Sequence, residues 1–392
     1  MAQHTANPFV TACAQGDLGE VLRRLKAGED INQIDAPPPR IGPEPDYRDP
    51  AVLDAIQKEL ERRADEISTT LTLRALDPVP PTLNKSGLGA AMAAHQLTVV
   101  RVLMRRGADP AIGNRHPLHK NITTSAIELG IQHGFVAGVA FLTEECGLGR
   151  PADALLFSSL PRVQSIHSFN ANSPPEYLER ARTLDDTRIK NGLAMFDYLI
   201  DKHGLSIETR TAQGQTIVAA ACAGCDDGFY GDNGRVLRHV LARGGNPNAE
   251  STIDKSARPK FIIAKNALRE ATGKEHEEIS AEDNDTSLSE YFGLINKGRH
   301  DQTARFETTP LINSCYQRNF RAAHILLDDP RTSPLHVDRH GNNAFVALEE
   351  GRRDHILAKE HEAEYKDLLK KMTTRAQEIY GASYRPFVPR PR

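Results

Sequence analysis

Apolar positions along the chain fall in short runs at helical spacing, each opened by a cap-forming residue. Six segments share one opening: NPFVTACAQGD from Asn7, SGLGAAMAAHQ from Ser86, SAIELGIQHGF from Ser125, TIVAAACAGC from Thr216, TPLINSCYQRN from Thr309 and NAFVALEEG from Asn343. Asn, Ser and Thr suit a helix N-cap because their side-chain oxygens accept the orphan N–H groups of the first turn. Two residues after each opening stands an apolar side chain: Phe9, Leu88, Ile127, Val218, Leu311 and Phe345. Three residues further on the side chain is small at Ala12, Ala91, Gly130, Ala221 and Ser314, with Leu348 the exception. A small residue there lets a neighbouring helix come close.

A second apolar stripe follows five of these openings, in LGEVLRRLKAGEDIN, LTVVRVLMRRGADP, VAGVAFLTEECGL, GRVLRHVLARGGNPN and FRAAHILLDDP. Three of the stripes stop at Gly28, Gly107 and Gly244, residues suited to a left-handed C-cap. The Pro8-to-Gly28 and Gly87-to-Gly107 intervals are both 20 residues, and Pro310 to Ala344 is 34. The pattern predicts an all-α fold built from a repeated pair of short helices.

The Thr-Pro-Leu at Thr309–Leu311, the Gly-Ala-Asp at Gly107–Asp109 and the Asp-x-x-Gly lead at Asp338–Gly341 resemble ankyrin repeats. That resemblance implies a unit of about 33 residues, two antiparallel helices and a projecting β-turn finger. Stacked units would make an ankyrin-like α-solenoid. The resemblance covers residues 7–35, 84–114, 122–148, 214–249 and 308–350. The family's His after Thr-Pro-Leu is missing throughout; Val10, Gly89, Glu128, Ala219, Ile312 and Val346 stand there. That departure weakens the inter-repeat hydrogen bonding typical of the family and marks a divergent array.

Irregular insertions interrupt the units. The expected organisation is a repeat at 1–35, a Pro-rich and helical insertion at 36–83, and two repeats at 84–149. A degenerate repeat plus a repeat with expanded turns fills 150–250, and a possible degenerate repeat with an acidic loop fills 251–307. A repeat and the start of a terminal one occupy 308–350, a helical cap 351–380, and a disordered tail 381–392. APPPRIGPEPDYRDP is too Pro-rich for a helix, whereas AVLDAIQKELERRADEI reads as a charged amphipathic one. The final stripe of Leu357, Tyr365, Leu368, Met372, Ala376 and Ile379 suits a terminal cap with a polar outer face.

Composition narrows the function classes. Lys+Arg number 49 against 52 Asp+Glu, so the net charge of −3 argues against the basic footprint of a nucleic-acid binder. Aromatic content of 6%, with no Trp, leaves few platforms for stacking on single strands. Five scattered cysteines are too few for a disulfide scaffold. The start MAQHTANPFV carries no apolar signal core, and the longest nearly apolar run, Gly134 to Leu142, is about half a membrane span. The expectation is a soluble, cytoplasmic or nuclear protein with no membrane partner, favoured as a monomer.

Candidate chemistry is thin. Cys222 and Cys225 have C-x-x-C spacing, but no second pair follows and no βαβ pattern surrounds them. His116 and His119 flank Pro117 without a third ligand, which suits a surface finger better than zinc. Gly87-Leu88-Gly89 lacks the strand and third glycine of a nucleotide loop. The turn Asp226–Gly234 is rich in Asp and Gly but lacks the alternating ligands of a calcium loop. Its Phe229 and Tyr230 are candidate partner anchors. The acidic run Glu275–Asp285 and the basic tail Arg385–Arg392 offer local charge contrast.

Neither a catalytic residue, a cofactor nor a metal ligand is expected. The resemblance implies a non-catalytic scaffold, adaptor or regulator, that binds protein partners along fingers and inner helices. Its finger contacts would include Gln33, Asp35, Asn114, Arg115, Asp338, Arg339 and His340. Two other readings stay open: an enzyme or pathway accessory with its site in an insertion, and a translocated effector of a pathogen or symbiont.

Overall fold

The computed structural model describes residues 6–35, 84–112, 114–115, 123–161, 175–211, 214–225, 232, 234–251, 308–338, 341–353 and 359–382. The chain divides into two compact units, Met1–Gly204 and Leu205–Arg392. The boundary falls inside the 150–250 stretch that the sequence suggested as one segment. The amphipathic helix expected within 36–83, the degenerate pair and acidic loop within 251–307, and the tail beyond Ala382 lie outside the described residues.

Among the described residues the first unit holds four helix pairs. They are α1 (Pro8–Gln15) with α2 (Leu18–Lys26), α3 (Gly87–Ala93) with α4 (Leu97–Arg105), α5 (Ala126–Gln132) with α6 (Val136–Ala140), and α7 (Leu155–Ser158) with α8 (Pro175–His203). The first member of each pair packs on the first member of the next, from α1 through α3 and α5 to α7; α2, α4, α6 and α8 form a second row. The second unit repeats the plan with α9 (Ile217–Cys222), α10 (Arg235–Ala242), α11 (Pro310–Tyr316), α12 (Phe320–Asp328), α13 (Ala344–Arg353) and α14 (Lys359–Tyr380). Its inner row is α9, α11 and α13, and its outer row α10, α12 and α14.

All six openings cap their helices. Ser86, Ser125, Thr216 and Thr309 accept a backbone N–H three residues on, and Asn7 accepts those of Phe9 and Val10. Asn343 accepts from the Val346 N–H at 3.1 Å. Each such cap is worth about 1 kcal/mol. The small positions act as expected: a Cβ on Gly130 would lie 2.3 Å from Met92 Cε, so the bare Cα lets the Met92 side chain of α3 fill the space against α5. Burial of Phe9, Val10, Met92, Ile131, Val139 and Leu142 fills the first core, and Ile217, Leu237, Leu311, Leu326 and Leu348 fill the second.

The tight turn inside a pair needs a left-handed residue. Gly16 (φ 75°) and Gly134 (φ 71°) meet it without cost, but His95 (φ 61°) and Arg318 (φ 60°) carry a Cβ. His95 is held there by stacking on Phe135 at 4.8 Å and by a 2.8 Å hydrogen bond with the His133 carbonyl. Arg318 has no such recompense, since its Nε is buried with no hydrogen-bond partner. Arg318→Gly is therefore expected to stabilise the second unit by about 0.5–1 kcal/mol, read as a raised urea midpoint at unchanged slope.

Two departures from the sequence reading occur in the first unit. PEYLERARTLDD and NGLAMFDYLIDKH, within the stretch expected to hold a degenerate repeat, belong to the single 29-residue α8. No breaker interrupts it except Gly192, whose bare Cα lets Pro161 and the Ser159 carbonyl approach; a Cβ there would lie 2.9 Å from both. The second is the end of α6, which loosens into a π turn over Phe141–Glu145. Thr143 Oγ1 donates back to the Val139 carbonyl at 2.9 Å, and Glu144 receives the Tyr198 hydroxyl at 2.8 Å.

At four places the chain on either side of residues outside the description is joined by backbone hydrogen bonds, as a neck. Asp35 and Asn84–Lys85 exchange backbone hydrogen bonds (2.9 and 2.6 Å) at the ends of 36–83. Strands β1 (Asn114–Arg115) and β2 (Thr123–Thr124) pair antiparallel at the ends of 116–122. Asp232 N–H donates to the Gly224 carbonyl at 3.2 Å, and Ser251 N–H to the Thr308 carbonyl at 3.1 Å.

His133, at the end of α5, gives the first unit a pH dependence. Burial first, then the charges of Lys85, His95 and Arg188, push its pKa from 6.5 down to about 4. The fold favours the neutral ring, so this stabilisation is complete above the unfolded value and drains as pH falls from about 6.5 towards 4. His133→Gln is expected to flatten that slope, measured by urea unfolding across the window.

Candidate functional site

Three of the described fingers are stiffened by side chains folding onto their own backbone. Asp30 Oδ1 accepts from Asn32 N–H, Asp109 Oδ1 from Ala111 N–H and Asn246 Oδ1 from Asn248 N–H, at 2.8–2.9 Å. One asparagine then reaches the next finger: Asn32 Oδ1 accepts Asp109 N–H at 2.9 Å, and Asn248 Oδ1 accepts Ser333 N–H at 3.1 Å. Both asparagines stand four residues after a left-handed glycine, Gly28 or Gly244. In the second unit His336 Nε2 also meets Glu250 Oε1 at 2.9 Å.

Three residues expected as finger contacts turn inward instead. Asp35, Asn114 and Asp338 are 2%, 3% and 4% exposed, and a partner cannot reach them. Asp35 Oδ1 accepts the Asn7 N–H at 3.0 Å. Asn114 Oδ1 accepts the Ser86 N–H at 2.7 Å, while its amide donates to the Thr124 carbonyl at 2.8 Å. Each of these two bonds spans 28 residues, from the opening of a pair to its finger base. They join neighbouring pairs, in place of the histidine that the family pattern would supply. Asp338 Oδ1 accepts the Asn342 N–H at 2.9 Å and shapes the lead into α13.

Gln33 is half-buried and bonded to Asn7 Nδ2 at 3.1 Å and to Glu29 at 3.1 Å. Arg115 has its backbone in β1, and Phe229, Tyr230, Arg339 and His340 lie outside the described residues.

What stays open to solvent is a face of the inner row. In the second unit Ala220 of α9 is half-buried and Ala223 and Gly224 in the turn after it are exposed, while Asn313 and Tyr316 of α11, and Gln317 just after its last turn, are half-buried. Val346 and Glu350 of α13 are half-buried as well. Spacings of three and four residues put each set on one side of its helix. The sequence expectation included the inner helices as a surface but named only finger and turn residues as contacts. The available signal was polar Asn313, Tyr316 and Gln317 beside the buried Leu311, Ser314 and Cys315.

The C-x-x-C pair offers no reactive thiol. Cys222 and Cys225 are buried, and desolvation pushes the Cys222 thiol up to about 12 and Cys225 higher still. Among the described residues no group of three His, Cys, Asp or Glu side chains gathers as a metal site requires. Nor, among them, is any helix long and apolar enough to cross a membrane.

No protein-family model matches the chain, and no curated protein does. Among solved structures, the human ASB11 ankyrin repeat domain aligns with 93% of this chain and 97% of its own, at 13% identity and a TM-score of 0.42. The ankyrin repeat domain of Bcl-3, a unique member of the IkappaB protein family, aligns with 94% of this chain and 100% of its own, at 12% identity and a TM-score of 0.40. The fold rests on the helix pairs themselves: capped openings, left-handed turns and bonded fingers recur in both units. The pairs are ankyrin-like.

Proposed function

We propose that this ankyrin-like chain is a non-catalytic scaffold, an adaptor or regulator that binds a protein partner through the inner face of its second unit. The observation that carries the reading is the polar and aromatic strip on α11 and α13, set on a stack whose finger bases are bonded inward. A stacked array presents such a face already ordered, so binding loses little conformational entropy. An aromatic ring beside adaptable amides is the composition of a binding surface.

The test is affinity capture from the native cell with the intact chain and with a Tyr316→Ala, Val346→Arg double variant, both shown to melt alike. A partner retained by the first and lost by the second supports the reading. Equal retention by both would move the site elsewhere. A repeat with 271–286 and 383–392 deleted then asks whether those segments contribute, and an unchanged partner is expected.

A further inference from the structure

Among the left-handed turns that join an inner to an outer helix, the one at Arg318 stands apart. Gly16 and Gly134 have no Cβ to strain, and His95 recovers its strain through the Phe135 stack and the His133 carbonyl. Arg318 is unfavourable on two counts. It carries a Cβ at φ 60°, and its Nε–H is buried with no hydrogen-bond partner.

Neither loss is offset within the chain. An arginine at the end of a helix ordinarily serves the last carbonyls, but here those are already served. Gln317 N–H donates to the Asn313 carbonyl at 3.0 Å, the Arg318 N–H to Cys315 at 3.2 Å and the Asn319 N–H to Ser314 at 2.9 Å. At the neighbouring end of α9, the Cys222 carbonyl accepts Asn319 Nδ2 at 2.9 Å. Asp232, the carboxylate beside that end, accepts the Gly234 and Val236 N–H groups at 2.6 and 3.2 Å. Among the described residues the Arg318 guanidinium makes no hydrogen bond or ion pair. Glycine would remove both losses, so an arginine held here without return in the fold marks a functional position.

We propose that Arg318 anchors a carboxylate of a partner protein, an Asp or Glu side chain in an exposed acidic segment. The proposal rests on the protein-binding reading above, because Arg318 follows Gln317 at the edge of the same face, and adds the anchoring residue and the charge of the partner. Three features select this chemistry. The planar fork of a guanidinium donates to both oxygens of a carboxylate at once. A single cation matches the single charge of a carboxylate, whereas a phosphate calls for a cluster of arginines, and the nearby Arg321 is already engaged. Approach is open as well. The Asn319–Cys222 bond sets the turn beside Ala223 and Gly224, which are exposed and carry almost no side chain. Arginine in such a half-buried setting is a residue type that dominates the energetics of interfaces.

The probes are fluorescein-labelled nonapeptides, threefold repeats of Gly-Leu-Glu, Gly-Leu-Lys and Gly-Leu-phosphoserine, titrated against the intact chain by fluorescence anisotropy. Saturable binding of the Glu peptide is expected, tighter than that of the other two. Arg318→Gly should weaken it roughly tenfold while raising the urea midpoint, a pairing that damage to the fold cannot produce. Arg318→Lys keeps the charge and the strained backbone but loses the fork, so roughly threefold weaker binding at an unchanged midpoint is expected. Arg105→Ala, at an exposed arginine of α4, should leave binding as it is. Tighter binding of the Lys or phosphoserine peptide, no binding of any peptide, or Glu-peptide binding indifferent to Arg318→Gly would overturn the proposal. The two readings fail separately. A captured partner that depends on Tyr316 and Val346 but is retained by Arg318→Gly, with no Glu peptide bound, leaves the scaffold standing and removes this anchor. A Glu peptide bound through Arg318 with no partner captured does the reverse.

Discussion

Asn114→Ala is expected to cost about 3 kcal/mol and to loosen the first unit at the junction of its second and third pairs. The substitution removes the side-chain partner of two buried groups at once, the Ser86 N–H at 2.7 Å and the Thr124 carbonyl at 2.8 Å. A buried polar group left without a partner costs about 1–3 kcal/mol, and two share the loss here. The Ser86 hydroxyl loses its 3.2 Å contact as well. Hydrogen exchange at the amides of 86–93 should accelerate roughly a hundredfold, while α9 to α14 keep their protection. Asn114→Asp should cost less, because the acceptor for Ser86 remains and only the donor is lost. Exchange rates in 86–93 indistinguishable from the parent would show the clamp to be dispensable.

Gly351→Ala sets two effects of opposite sign against each other. In an open helix the change would stabilise by about 1 kcal/mol, because alanine is the better helix former. Here the new methyl would sit 2.5 Å from the Tyr316 carbonyl oxygen and 3.0 Å from that of Cys315. Backbone atoms of a packed helix cannot step aside as a side-chain end can, so overpacking prevails. A net loss of about 2–3 kcal/mol is expected, seen as a lowered urea midpoint. Gly130→Ala is the instructive contrast: its nearest neighbour is the flexible Met92 Cε, and a smaller loss should follow. A neutral or stabilising Gly351→Ala would mean that α13 is not pressed against α11.

Much of the fold was legible because caps and stops are local chemistry. Asn7, Ser86, Ser125, Thr216, Thr309 and Asn343 declare helix starts through their own side chains. Gly28, Gly107 and Gly244 declare ends through positive φ. The small residues declared close stacking, and Gly130 bears that out. The candidate site was less legible. Asp35, Asn114 and Asp338 read as finger contacts because polar residues near turns are usually exposed. Their burial depends on a non-local fact, such as the gap beside Gly89 that admits the Asn114 amide: a Cβ there would lie 2.1 Å from Asn114 Oδ1. The length of α8 was missed because a helix is ended by a breaker or by its packing. Gly192 inside α8 does not end it and serves a close contact with Pro161 and Ser159.

The bonded necks bear on how such a chain changes length. Each helix pair is closed by contacts whose two ends lie on the pair's side of the neck, so chain added beyond it stretches no packed element. The closure-entropy part of a longer excursion rises by about 0.6 kcal/mol for each doubling. Shortening 36–83 to a four-residue turn would lower the closure entropy of that joint by about 2 kcal/mol. Length at these joints is thermodynamically cheap in either direction. Segments of unrelated composition can be gained or lost there over evolutionary time, while the pairs keep their register.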